Sequence, residues 1–123
     1  MTIAAIALGG ALGSVLRYLI ASGLQTWSGR HVPIGTLVVN VSGCLAIGVL
    51  YVWLVERSPV AAEWRAFWLV GVLGGFTTFS SFTLETWHLF THGEAFRAAG
   101  NVALSVILCL AATWLGVVAG RSV

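Results

Sequence analysis

Four runs of mostly apolar residues, roughly 3–24, 34–55, 64–91 and 97–120, take up nearly all of this 123-residue chain. A helix needs about 20 such residues to cross the hydrocarbon core of a bilayer, so each run is long enough to span it. Composition agrees: 59% of the residues are hydrophobic and 8% are charged, where a soluble domain carries about a quarter charged residues. The chain has too little polar surface to face water, and we expect an all-α membrane protein with four transmembrane helices. Residues 1–123 read as a single transmembrane domain with no soluble part. The first run has no basic leader and continues through Arg17 without a small-residue cleavage site, so it reads as a helix and not a signal peptide. Cys44 and Cys109 fall inside predicted helices and read as buried free thiols.

The third run contains a segment at odds with a continuous helix, Gly71-Val-Leu-Gly-Gly-Phe-Thr-Thr-Phe-Ser-Ser-Phe-Thr-Leu-Glu85. Glycines at 71, 74 and 75 precede hydroxyl residues at 77, 78, 80, 81 and 83, with phenylalanines at 76, 79 and 82. Non-helical backbone survives at membrane depth only where protein or a polar cavity satisfies it. We therefore expect the third helix to break near its middle, with an ion or solute pathway beside the break.

Charge gives the chain almost no preferred orientation. With four crossings, Arg57, Arg65 and Arg121 fall on one side, and Arg30 and Arg97 on the other, with His31 and His92 nearby. The positive-inside rule acts on an excess of Lys and Arg, and three against two is barely an excess. Either subtler cues orient the chain, or it inserts both ways and pairs antiparallel. We favour the second, dual topology. Four helices are also few for enclosing a selective pathway, and a two-fold homodimer is the usual way to build a larger one.

Polar and small residues mark faces of the spans. Ala5, Gly9, Gly13 and Arg17 recur every four residues; the Gly9–Gly13 pair suits close helix packing. An arginine inside a span usually faces a partner or an aqueous cavity, so Arg17 either anchors structure or draws anions into a vestibule. Thr36, Asn40 and Gly43 share a face of the second span. Asn40 can bond a neighbouring helix or donate to a passing anion. Asn101, Ser105, Cys109 and Thr113 form a stripe down the fourth span. Phe79 and Phe82, three apart, share a face; they can pack, or turn their partly positive edges toward an anion. Glu85-x-x-His88 is half of a di-iron ligand pattern without the further carboxylates, and Glu85 reads better as a partner for Arg17 or as a residue at the pathway mouth.

Taken in order, these segments carry a resemblance. Gly9-Gly-Ala-Leu-Gly-Ser-Val-Leu-Arg17-Tyr18, Gly35-Thr-Leu-Val-Val-Asn40-Val-Ser-Gly43, the 71–85 segment and Asn101-Val-Ala-Leu-Ser105 together resemble the Fluc (CrcB-like) fluoride channels of microorganisms, over essentially the whole chain. The resemblance implies an antiparallel, dual-topology homodimer in the cell membrane with two fluoride pores along its interface. It implies that Asn40, Phe79, Phe82 and Ser105 line the fluoride path, with Thr36 in the polar lining. It also implies a structural sodium ion held by backbone carbonyls of Gly74 and Thr77, and vestibule or structural roles for Arg17 and Glu85. Export would be passive and would lower fluoride toxicity in the cytoplasm. In the fourth span the chain has Asn101 where some relatives carry tyrosine, and Cys109 where some carry serine.

Other classes account for less. A four-helix proton-coupled multidrug exporter needs a deep carboxylate in its first span, where this chain has Arg17; Glu85 is the one deep acidic candidate. A non-transporting assembly subunit explains Gly9 and Gly13 but leaves the broken span without purpose. No enzyme is expected, since only Ser81 and His88 come near a nucleophile–base pair.

Overall fold

The computed structural model describes residues 1–28, 33–57 and 60–123; Arg30 and His31, weighed above as loop charges, lie outside them. Helix α1 covers Thr2–Ser28 and α2 covers Ile34–Arg57. The third span is two helices, α3 over 62–76 and α4 over Phe79–Thr91, and α5 covers Ala95–Ser122. The spans number 27, 24, 30 and 28 residues, and at about 1.5 Å per residue each outruns a hydrocarbon core of about 30 Å. Among the described residues there is no strand. The last turns of α2, Val52–Arg57, and the middle of α3, Ala66–Val72, are π-helical, a local widening that often accompanies functional sites.

Two close helix pairs organise the bundle, α1 against α3 and α2 against α5. Each is built on small residues. A Cβ added at Gly13 would sit 2.1 Å from the Val72 carbonyl oxygen, and one at Gly9 would sit 2.5 Å from that of Phe67. At the other crossing, Cβ atoms at Gly48 and Gly116 would lie 2.5 Å and 2.2 Å from the carbonyl oxygens of Thr113 and Leu45. Lipid supplies no hydrophobic drive between helices, so this intimate backbone contact is what holds them. Both pairs run parallel, with Gly9 opposite Gly71, Gly48 opposite Gly116 and Val52 opposite Gly120, as alternate crossings of a membrane must.

The apolar surface is turned outward. Leu8, Leu12, Leu19, Val70, Ile107 and Leu110 are all exposed, while the buried apolar residues are few, among them Val39, Val52, Leu73 and Phe82. At one end, Arg121 grips Glu56 through two bonds of 2.7 Å and 3.0 Å, and Arg57 donates to the Arg121 carbonyl at 2.7 Å. Trp53 donates its indole N–H to the Gly120 carbonyl at 3.3 Å beside them.

Candidate functional site

The break falls at Thr77 and Thr78. Thr77 (ψ 155°) and Thr78 (φ −150°, ψ 116°) are extended, a conformation that β-branched residues accept readily. Helix α4 restarts at once because Thr78 is a good N-cap: its Oγ1 accepts from the Ser81 amide at 3.2 Å. Upstream, the Thr77 amide and hydroxyl both donate to the Leu73 carbonyl, each at 2.9 Å.

A side chain from α2 clamps the extended residue. The Thr78 amide donates to Asn40 Oδ1 at 2.7 Å, and Asn40 Nδ2 donates to the Thr78 carbonyl at 2.9 Å. The primary amide stands in for a neighbouring strand, so the amide and carbonyl of Thr78 are both satisfied without water. This answers one question left open above: Asn40 bonds structure, and its amide keeps a second N–H beyond that bond. In a continuous helix the Thr78 amide would close on the Gly74 carbonyl. Here it goes to Asn40, and a Cβ built on Gly74 would meet nothing within 4 Å.

Beside the clamp is a half-open cavity of about 440 Å³ whose wall includes Asn40, Gly74, Thr77, Phe79, Phe82 and Ser105. The phenylalanine rings lie 5.2 Å apart, tilted by 51°. Phe82 is buried, whereas Phe79 is 75% exposed, a large apolar ring on an open face near the middle of the third span. Ser105 is buried on α5.

Thr36 is not in this wall. It is buried and donates to Glu85 Oε1 at 2.5 Å, and it lines two further cavities near the break. One, about 210 Å³, is bounded by Ser14, Arg17, Tyr18, Thr36, Thr78 and Ser81. The other, about 660 Å³, includes Gln25, Thr36, Ser81, Glu85, His88 and His92. Thr36 and Ser81 belong to both, and Thr78 joins the first to the Asn40 cavity. Hydroxyls thus run from Glu85 to the break, with Thr78 Oγ1 3.1 Å from Ser81 Oγ and 3.2 Å from Ser80 Oγ.

Glu85 and Arg17 do not form an ion pair; among the described residues the salt bridges are Arg97–Glu94 and Arg121–Glu56. Glu85 accepts instead from Thr36 on α2, and its Oε2 is buried with no hydrogen-bond partner among the described residues. Arg17 is half-buried and faces the 210 Å³ cavity. Asn101, grouped above with a polar stripe, is buried and donates to Thr86 Oγ1 at 2.9 Å. Thr86 in turn donates to the Phe82 carbonyl at 2.8 Å, so Asn101 braces the turn behind that ring. Thr78 and Ser81, read above as hydroxyls of the broken segment, have a capping role there that was not assigned. The signal was a threonine just ahead of the helix restart, a residue type favoured as an N-cap.

No three His, Cys, Asp or Glu side chains converge among the described residues, so Glu85 and His88 are not part of such a group. The oxygens at the break are backbone carbonyls, the Thr77 and Thr78 hydroxyls and Asn40 Oδ1.

The CrcB-like protein family, described as Camphor Resistance (CrcB), matches residues 4–117. A Methylococcus capsulatus protein named fluoride-specific ion channel FluC is 52% identical over 121 residues, covering 98% of this chain and 53% of its own length. This chain therefore spans about half of that relative. Proteins of the same name from Coxiella burnetii and Geobacter metallireducens are 47% and 46% identical, each with 98% of both chains covered.

Proposed function

We propose, from the premise that the chain belongs to the CrcB-like family, that it is a fluoride-specific ion channel of the cell membrane. Fluoride leaves through it passively, down its electrochemical gradient, and cytoplasmic fluoride toxicity falls. The observation that carries the reading is the cavity at the break, where Asn40, Phe79, Phe82 and Ser105 meet. Fluoride holds water strongly, so a path for it must offer donors in exchange without presenting a negative surface. Asn40's remaining N–H and the Ser105 hydroxyl supply donors. Ring edges of Phe79 and Phe82 supply weak positive potential and exclude water.

Arg17, with no hydrogen bond or ion pair among the described residues, draws anions toward the break from the 210 Å³ cavity. Thr36 holds Glu85 aside, so that the carboxylate borders the vestibule without projecting into the path. The chain works as one channel domain over residues 1–123, as an antiparallel homodimer inserted in both orientations. Two features favour a partner on this face: the open ring of Phe79, and a cavity with one side unwalled. The near balance of arginines across the spans favours both orientations.

A sodium ion at the dimer axis is part of the same proposal. The Gly74 carbonyl lacks its helical amide, and Thr77 is extended beside it. Two carbonyls are too few for a hard cation, and a second copy doubles them. When bound, the ion would supply fixed positive charge between the pores; Gly74 and Thr77 would hold it.

The test is growth. Cells lacking a fluoride exporter should tolerate fluoride when they express this chain and should fail with N40D. Equal rescue by both, or none by the wild-type chain at normal membrane levels, would contradict the reading. Reporters fused to the C-terminus should read out on both sides of the membrane; a signal from one side alone would remove dual topology.

A further inference from the structure

Cys44 on α2 and Cys109 on α5 are free and half-buried. Their helices run in parallel and touch at Gly48 and Gly116, and Cys44 lies one turn before Gly48. The packing of α2 on α5 brings the two thiols close enough to interact with each other. Both face the 440 Å³ cavity beside Phe79, Phe82 and Ser105, and no role above uses them. A thiol is only a weak donor to a hard anion. Two adjacent sulfurs are, in contrast, good ligands for soft metals. No third His, Cys, Asp or Glu joins them among the described residues, which disfavours zinc and its four-ligand sites.

We propose that Cys44 and Cys109 form a two-sulfur site for a soft monovalent cation of the copper(I) and silver(I) class, whose occupation closes the cavity to fluoride. The closure rests on the reading of this cavity as the fluoride path; the binding does not. Both thiols give up their protons, so that Ag⁺ and two RSH become [Ag(SR)₂]⁻ and two H⁺, with no change of oxidation state. The product leaves a bulky group and one net negative charge on the cavity wall, and both oppose an entering anion.

The probe is silver nitrate, added to purified protein in chloride-free buffer. Thiols left free are then counted by mass spectrometry after alkylation with N-ethylmaleimide. One silver ion per chain should protect both thiols. C44S or C109S should weaken binding by about tenfold or more, and C44S/C109S should abolish it. In liposomes, silver should stop fluoride efflux through the wild-type channel, dithiothreitol should restore it, and C44S/C109S should be unaffected. Silver that leaves both thiols open to alkylation overturns the site. Silver held by both thiols while fluoride efflux continues overturns the closure. A wild-type channel that passes no fluoride before silver is added refutes the channel reading and the closure with it, while the thiol count still decides the site.

Discussion

Asn40→Asp is the substitution that separates a structural clamp from a pore wall most sharply, because it changes one atom of the pairing with Thr78. Asn40 Oδ1 accepts from the Thr78 amide at 2.7 Å, and that bond survives in the carboxylate. The Nδ2–H to the Thr78 carbonyl, 2.9 Å long, is replaced by an oxygen facing an oxygen. An orphaned buried acceptor costs about 1–3 kcal/mol, which a membrane helix bundle with two glycine-built crossings can absorb. The electrostatic effect on conduction is larger. A fluoride ion about 4 Å from a carboxylate, at an effective dielectric constant of about 20, is repelled by about 4 kcal/mol. At about 1.4 kcal/mol per decade, that slows conduction by about a thousandfold. The assay is fluoride efflux from liposomes followed with a fluoride electrode at neutral pH, with gel filtration as the check on folding. Asn40→Ala, which removes the clamp without adding charge, should lose less flux than N40D. Well-folded N40D conducting within about tenfold of wild type would refute the placement of Asn40 on the anion path.

Four further outcomes are expected. Phe79→Ile should abolish most fluoride efflux while leaving the elution profile unchanged, since Phe79 is largely exposed within the chain; unaltered efflux would remove the ring from the path. Thr78→Val deletes the N-cap of α4 and should lower stability by about 1 kcal/mol, read as a lower midpoint in thermal unfolding in detergent. Gly13→Val should prevent the α1–α3 crossing, where a Cβ would lie 2.1 Å from a carbonyl oxygen, and yield no monodisperse protein. Gly23→Ala, with nothing within 4 Å, should instead gain about 1 kcal/mol of helix propensity.

The spans were legible because run length and the scarcity of charge leave an apolar chain few alternatives to crossing a membrane. The break was legible for a local reason: Gly74-Gly75 weakens the helix, Thr77 and Thr78 accept extended backbone, and Thr78 caps the restart. What Asn40 does was not legible, because its partner is the backbone of a residue 38 positions away, and a side chain's pattern does not reveal which backbone it will meet. The same holds for Glu85. Counting charges matched it with Arg17, yet the helix packing brings Thr36 to it first. Asn101 looked like one step of a polar stripe, and only the approach of α4 shows that it braces Thr86. The proximity of Cys44 and Cys109 depends on how α2 packs against α5, which sequence spacing alone does not supply.

The most direct measurement of the central claim is paired efflux from liposomes holding the purified protein, with potassium movement shunted by an ionophore. Loaded with fluoride, the vesicles should empty rapidly with no proton gradient; loaded with chloride, they should retain it. Chloride leaving as fast as fluoride, or fluoride leaving only when a proton gradient is imposed, would contradict the account.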